Sequence, residues 1–239
     1  MFFDKHPEFL ETSKTAASKS RLNLRHVGII RENREVLEGS RVLDIASHDG
    51  RWAYAALAAG AAHVTGIEGR PELVEQSYDT FRAKGVPDDA YRFIQGDVHE
   101  RLHDPDVTAD VVMCLGFLYH TSRYAELFAG IASTRADYVI IDTRVLVGVE
   151  GPLVRVRPER TAHQAKALRD RYAMGKQVIS AIPSEEAVVV MLDAAGYEVD
   201  HRTDWEGLLA NRPRARHVLQ YRRGRRVTLR ARRKQRRRA

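Results

Sequence analysis

Five acids and a histidine stand in or just after short apolar runs, and each is of a type that can hold or activate a ligand. The segment VLDIASHDG (residues 42–50) is an apolar run that closes in a small-residue turn containing Asp44 and Asp49. Small residues let backbone amides approach a ligand, but a pyrophosphate site favours glycines at a helix start. Carboxylates at this turn would repel a pyrophosphate and attract the ammonium of an amino-acid group. A nucleoside with an amino-acid tail therefore fits better than a dinucleotide. Glu68 ends the next run, at about the distance where an acid grips two ribose hydroxyls. Asp97 follows a third run and can accept from an exocyclic adenine amine. His120 lies just past a fourth run, where a neutral imidazole could take a proton from a hydroxyl; the alternative is a structural histidine that orients the loop. Asp142 ends a fifth run. It could orient His120, join an octahedral Mg²⁺ site that holds a vicinal diol, or cap its strand.

These positions require a scaffold that brings five strand ends to one edge. Residues 41–46, 62–68, 91–95, 110–115 and 137–142 read as strands, and 51–59, 71–84 and 123–133 as helices, with Pro71 at a first helical position. That alternation implies a parallel sheet with crossover helices, whose ligands bind at the carboxyl ends of the strands. Ser184 is placed to cap a helix with Glu185 and Glu186 in its first turn and Gly196 at its end. Residues 199–202 and 217–221 are the remaining strand candidates. The stretch between Asp142 and Ser184 falls outside this rhythm. With its basic run Arg155, Arg157 and Arg160 and a helical pattern over 161–172, it reads as an inserted helical cap, from which His163 could close over an acceptor. Trp205 could give a sugar a flat wall, whereas Trp52 and Tyr54 read as core. A helical stretch near 22–35 precedes the sheet and is expected beside the cap.

Taken in order, VLDIASHDG, GIEGR (66–70), QGDV (95–98) and ADVVMCLGFLYH (109–120) resemble the motifs of class I S-adenosylmethionine-dependent methyltransferases, over roughly residues 41–142. The resemblance implies an α/β, Rossmann-like, mostly parallel seven-stranded sheet with helices on both faces, here with the inserted cap, and S-adenosylmethionine as cofactor. It implies that Asp44 and the loop through Ala46, Ser47 and Gly50 bind the methionine part, Glu68 the ribose, and Asp97 with the Val98 backbone the adenine, with Leu115 beside them. Ala46 and His48 stand where the family's loop has glycines. The GxLYH element is similar to one beside the transferring group in tRNA wobble-uridine carboxymethyltransferases and sugar O-methyltransferases. Amine acceptors in this superfamily more often go with an Asn/Asp-Pro-Pro-aromatic element after the fourth strand, and none is present. The expected activity is O-methylation of a saccharide or similar polar small molecule, with His120 as general base and Asp142 as the second catalytic group. Mg²⁺ is a further cofactor if Asp142 joins a metal site.

The 239 residues are 44% apolar and 30% charged, which excludes a collagen-like, wholly disordered or multi-span membrane chain. One domain with appendages is expected: an N-terminal helical segment (1–40), a methyltransferase domain (41–221) with the cap insertion (143–183), and a disordered arginine-rich tail (222–239). Asp4, Lys5, His6 and Glu8 interrupt the first ten residues, so no signal-peptide core is present and a cytoplasmic address is expected. Cys114 is the only cysteine, which forbids an internal disulfide and a cysteine-rich zinc site and reads as a small buried residue. Residues 222–239 hold eleven Lys and Arg and no acid, leaving the rest of the chain at −4 within a total of +7. A polycation of that kind could contact RNA phosphates, so a tRNA- or rRNA-modifying enzyme is the rival reading. The acidic remainder favours a saccharide over a polyanion. A cofactor-binding protein without catalysis is a third reading, and a homodimer is compatible with all of them.

Overall fold

Strand β1 (Arg41–Ile45) is buried along four of its five residues, because V-L-D-I sends apolar side chains to both faces of a sheet covered on both sides. It is the centre of the chain, which in a computed structural model is described for residues 1–10, 19–161, 167–211 and 218–235. Around it lie β2 (His63–Glu68), β3 (Tyr91–Gln95), β4 (Val111–Leu115), β5 (Tyr138–Arg144), β8 (Tyr197–Arg202) and β9 (Arg226–Arg233); β6 (Val154–Arg160) and β7 (Gln177–Pro183) form a separate pair. The seven-stranded sheet has the order β3-β2-β1-β4-β5-β9-β8. The first five strands are mutually parallel, and β9 runs antiparallel to both β5 and β8. The order reverses between β1 and β4, so a crevice opens outside the carboxyl ends of those two strands.

The helices are α1 (Lys19–Arg25), α2 (Arg34–Leu37), α3 (Arg51–Ala58), α4 (Pro71–Ala83), α5 (Val98–Arg101), α6 (Tyr124–Ser133), α7 (Glu185–Ala194), α8 (Trp205–Leu209) and α9 (Leu219–Arg222). One face of the sheet packs Val42, Val64, Met113 and Ile140 against the N-terminal segment, α3 and Trp205. The other packs Leu43, Ile67, Cys114 and Ile141 against α5, α6 and α7. Pro71 opens α4 as its spacing predicts, and the Ser184 hydroxyl accepts from the Ala187 amide at 3.2 Å to cap α7. Residues 19–37 are helical almost throughout, passing from α1 through π and 3₁₀ turns into α2. Burial pushes the Cys114 thiol up to about 12, so it is an inert core residue. Among the described residues no helix is long and apolar enough to cross a membrane.

Three expectations need correction. Residues 226–233 are not a disordered tail but strand β9, hydrogen-bonded on both sides within the sheet. Val227, Leu229 and Ala231 recur with period two into the core, and the intervening arginines bury their stems and pair at the surface, Arg230 with Glu35 and Asp200, Arg232 with Glu198. The mobile polycation that motivated an RNA reading is thereby largely built into the fold. Secondly, the insertion is a β-hairpin, with β6 and β7 paired antiparallel from Val154–Pro183 to Arg160–Gln177; residues 167–172 are not helical, and 162–166, including His163, lie outside the described residues. Its β-branched alternation, V-R-V facing Q-V-I-S-A-I, suits a strand better than a helix. Thirdly, of the strand expected over 217–221, residue 217 lies outside the described residues and 219–221 belong to the short helix α9.

Candidate active site

The loop between β1 and α3 keeps a glycine-like path without the glycines. Ala46 and His48 adopt φ of 55° and 56°, and Gly50 follows at 74°. An L-residue held there costs about 1–2 kcal/mol. The loop is held from outside: the Ser47 amide donates to the Ile67 carbonyl at 2.9 Å and the His48 amide to Glu68 Oε2 at 3.1 Å. Gly50 closes it against Phe81 and Phe93, where a Cβ would come within 3.0 Å of either ring. Strain concentrated at one loop is a mark of a site whose backbone geometry matters more than its stability. Ala46→Gly is therefore expected to raise the free energy of unfolding by about 1 kcal/mol, after the added unfolded-chain entropy, seen as a higher urea midpoint at unchanged slope. A lowered midpoint would mean that the Ala46 methyl contributes more by packing than its backbone costs.

The two aspartates of this loop have different fates. Asp49 forms a buried bidentate pair with Arg51, Nε–Oδ1 and Nη2–Oδ2 both 2.6 Å, and although burial opposes ionisation Arg51 holds its carboxyl down at about 2. Asp49 is thus committed to the fold. Asp44 is equally buried, but burial pushes its carboxyl up to about 8, and its Oδ2 has no partner among the described residues. The Ser47 Oγ and His48 Nε2 nearby are also buried without partners. Three unmet polar atoms around one strained loop are the expected signature of a polar ligand group, and the ammonium of a methionine moiety suits them.

A cavity opens over this loop. Its lining includes Ala46, Ser47, His48, Glu68, Asp97, Val98 and Leu115, together with Arg21, Arg25, Tyr119, His120 and Arg226. Asp44 and Gly50 belong to the same turn but are not among the lining residues. Glu68, 3% exposed, accepts from the His48 amide on Oε2 and from the Arg70 amide and guanidinium on Oε1 at 3.0 and 3.1 Å. Asp97 caps α5 through the His99 amide at 3.0 Å, takes the His99 ring at 2.9 Å on the same oxygen, and takes Arg123 at 2.6 Å on the other. Burial opposes its ionisation, but these donors outweigh it and hold the carboxyl well below the usual range. Asp97 is thus a tightly anchored member of the wall, with the Val98 backbone directly after it.

After β4 the chain turns through Gly116 (φ 95°) into a single 3₁₀ turn, Leu118–His120. His120 Nδ1 lies 2.8 Å from Oε1 of Glu159 on β6. The hairpin is fastened there by backbone and side-chain bonds: Ala181 amide to Thr121 carbonyl at 3.1 Å, and Tyr124 hydroxyl to Ala181 carbonyl at 2.7 Å. Burial works against ionising Glu159, but the bond and charge of His120 outweigh it and keep the carboxyl below its ordinary value. A carboxylate can only accept, so Nδ1 carries a proton, and in the neutral ring the lone pair is then on Nε2. Sequence reasoning missed Glu159. Its one signal was an acid standing alone in the run Arg155, Arg157, Arg160.

Asp142 does not orient His120, and it has no room for a metal. It sits on the Ile140 face of β5, covered by the N-terminal helices, and is fully buried. Oδ1 accepts from Arg25 at 2.8 Å and Arg226 at 2.7 Å; Oδ2 accepts from the Tyr221 and Thr228 hydroxyls at 2.7 and 2.8 Å. Four donors fill its four lone-pair directions. No group of three or more His, Cys, Asp or Glu that could hold a metal ion occurs among the described residues. Trp205 is likewise internal, 5% exposed, stacked on Tyr221 at 3.8 Å and bonded to Thr228 at 3.0 Å, so it is no wall for a sugar.

The strand order, with five parallel strands and an antiparallel β9 inserted beside β5, is that of the Rossmann-like methyltransferase fold. A family model described as methyltransferase domain matches residues 42–135. Among solved structures, an S-adenosylmethionine-dependent methyltransferase from Mesorhizobium loti superposes with a TM-score of 0.60 at 16% identity, over 92% of this chain and 100% of that one. The N-terminal domain of EvdMO1, solved with S-adenosylhomocysteine and D-fucose, gives 0.59 at 18%, over 86% and 81%. The [4+2]-cyclase SpnF gives 0.62 at 19%, over 93% and 85%. No curated protein matches the sequence. At these identities the structures share the fold alone, and the reaction has to be argued from the site.

Proposed function

We propose that this protein moves a methyl group from S-adenosylmethionine to a hydroxyl of a saccharide or similar polar small molecule, with His120 as general base. The observation that carries the reading is that His120, bonded to Glu159, lines the same cavity as Ser47 and His48, whose side chains carry unmet polar atoms. The cofactor supplies an electrophilic methyl; Asp44, Ser47 and the backbone through Gly50 would hold its methionine part, Glu68 its ribose, and Asp97 with Val98 its adenine, beside Leu115. A methyl acceptor must be aligned and lose a proton, and little acid chemistry is needed otherwise. Glu159 fixes the ring so that Nε2 is the basic atom and stabilises the imidazolium that forms. A hydroxyl gains most from such a base. That a domain of this fold has been solved with S-adenosylhomocysteine and D-fucose supports a sugar as the acceptor.

The test is release of S-adenosylhomocysteine from purified protein supplied with saccharide fractions and, in parallel, total RNA. Release with the saccharide fraction is expected; release with RNA alone would overturn the acceptor class. Glu68→Gln should weaken S-adenosylhomocysteine binding by about tenfold in calorimetry while leaving the fold intact. Unchanged affinity would remove Glu68 from the ribose site.

A further inference from the structure

The acceptor side of the cavity is cationic, which the net charge of the sequence outside residues 222–239 did not suggest. Arg25 and Arg226 share one carboxylate, Asp142, so the buried cluster is positive before Arg21 is added. Arg21 stands one helical turn before Arg25 on α1 and lines the cavity. Arg226 Nη1 reaches the Tyr119 hydroxyl only at 3.5 Å, a long contact that leaves it able to take a better acceptor. The local field is visible on both neighbours. Burial would raise the Tyr119 phenol, yet the charge and bond of Arg226 outweigh it and the phenol is lowered. Arg21 is lowered by its burial and by the charges of Arg25 and Arg226.

The sheet order separates this cluster from the cofactor's side. β9 is the third strand from β1, about 14 Å away at ordinary strand spacing, and lies on the opposite side from β2 and β3, which carry Glu68 and lead to Asp97. Arg25, Arg226, Tyr221 and Tyr119, all of this cluster, act on Arg21.

We infer that Arg21 and Arg226, beside Tyr119, form an anion subsite for the acceptor, so that the methylated molecule is a saccharide carrying a carboxylate or a phosphate. This rests on the reading of the cavity as a methyltransferase site. The anion docks next to His120, whose ring centroid is 4.3 Å from that of Tyr119, and a hydroxyl elsewhere on the same molecule meets the base. Paired guanidiniums suit both oxyanions because their donors match carboxylate and phosphate geometry.

The experiment is calorimetry in two stages at constant ionic strength. S-adenosylhomocysteine is titrated first into wild type and Arg21→Gln, and then glucuronate, glucose 6-phosphate and glucose are each titrated into the loaded proteins. The expected result is that at least one of the two acids binds wild type about tenfold or more tightly than glucose, that Arg21→Gln abolishes this preference, and that Arg21→Lys restores part of it. Which acid is preferred separates carboxylate from phosphate. Glucose binding as well as both acids, no acid binding detectable at about 10 mM, or a preference surviving in Arg21→Gln would overturn the subsite. A loss of S-adenosylhomocysteine affinity in Arg21→Gln with the acid preference intact would assign Arg21 to the cofactor's own carboxylate and overturn it too. Failure of the first titration on wild type would instead fell the methyltransferase reading, and the subsite with it.

Discussion

Asp142→Ala should lower the melting temperature by about 10 °C or more, making it the most destabilising of the substitutions considered for this protein. The substitution removes the one carboxylate that neutralises two buried guanidiniums, Arg25 with 10% and Arg226 with 2% of its side chain exposed, and leaves the Tyr221 and Thr228 hydroxyls without their acceptor. Removing one partner of a buried pair costs about 3–5 kcal/mol, because the remaining charge stays out of water, and a domain of this size loses about 2–4 °C per kcal/mol. The pH dependence has a definite sign. Burial opposes ionisation of Asp142, but Arg226 and Arg25 outweigh it, so the folded carboxyl lies below its ordinary value. Its contribution is present above about pH 4, where the unfolded carboxyl is ionised, and is lost as the pH falls through the depressed folded value. Acid unfolding should therefore be shallower in any folded Asp142→Asn than in wild type. A melting temperature within about 2 °C of wild type for Asp142→Ala would refute the cluster as a stabilising unit. In the same comparison, a chelator should leave wild-type turnover unchanged, since the carboxylate proposed for Mg²⁺ has its lone pairs filled.

The strands that carry the cofactor side were legible because β1, β2 and β4 are apolar on both faces and end in an acid or a small-residue turn, a pattern that few other arrangements of chain produce. Sequence position located Asp142 at a strand end but not the direction of its side chain. Period two does settle that: Asp142 shares a face with Ile140, opposite Ile141, and that face is covered by α1 and Trp205 rather than open to the crevice. What closes around it comes from residues 25, 221, 226 and 228, between 79 and 117 positions away in the chain, which local patterns do not reveal. Strand β9 was missed for another reason. A count of cations classed 222–239 as solvated, although Val227, Leu229 and Ala231 already alternate correctly for a half-buried strand whose arginines lie along an ion-paired surface. The same misreading turned the site's charge around, because Arg226 belongs to the cavity wall and not to a tail. Glu159 depends on a hairpin packing back on the 3₁₀ turn that follows β4, a tertiary event with no counterpart in spacing.

His120→Ala is expected to reduce turnover by about 10²–10⁴-fold while leaving S-adenosylhomocysteine affinity unchanged, the range typical of removing a positioned general base. The split between turnover and cofactor binding matters, because a residue that merely shaped the loop after β4 would disturb Leu115 and Gly116 and weaken the cofactor as well. Glu159→Gln tests the same assignment from the other side of the hydrogen bond. Glutamine can still accept from Nδ1, so the ring keeps its orientation and tautomer, but it carries no charge to stabilise the imidazolium. The imidazolium formed on proton removal is then less stabilised, so turnover falls, about tenfold, at little change in KM. A structural histidine predicts no such fall. Turnover of His120→Ala at the wild-type rate would assign His120 to the loop's architecture, whereas loss of turnover in His120→Ala and a fall of about tenfold in Glu159→Gln, both at unchanged S-adenosylhomocysteine affinity, assign proton removal to this imidazole.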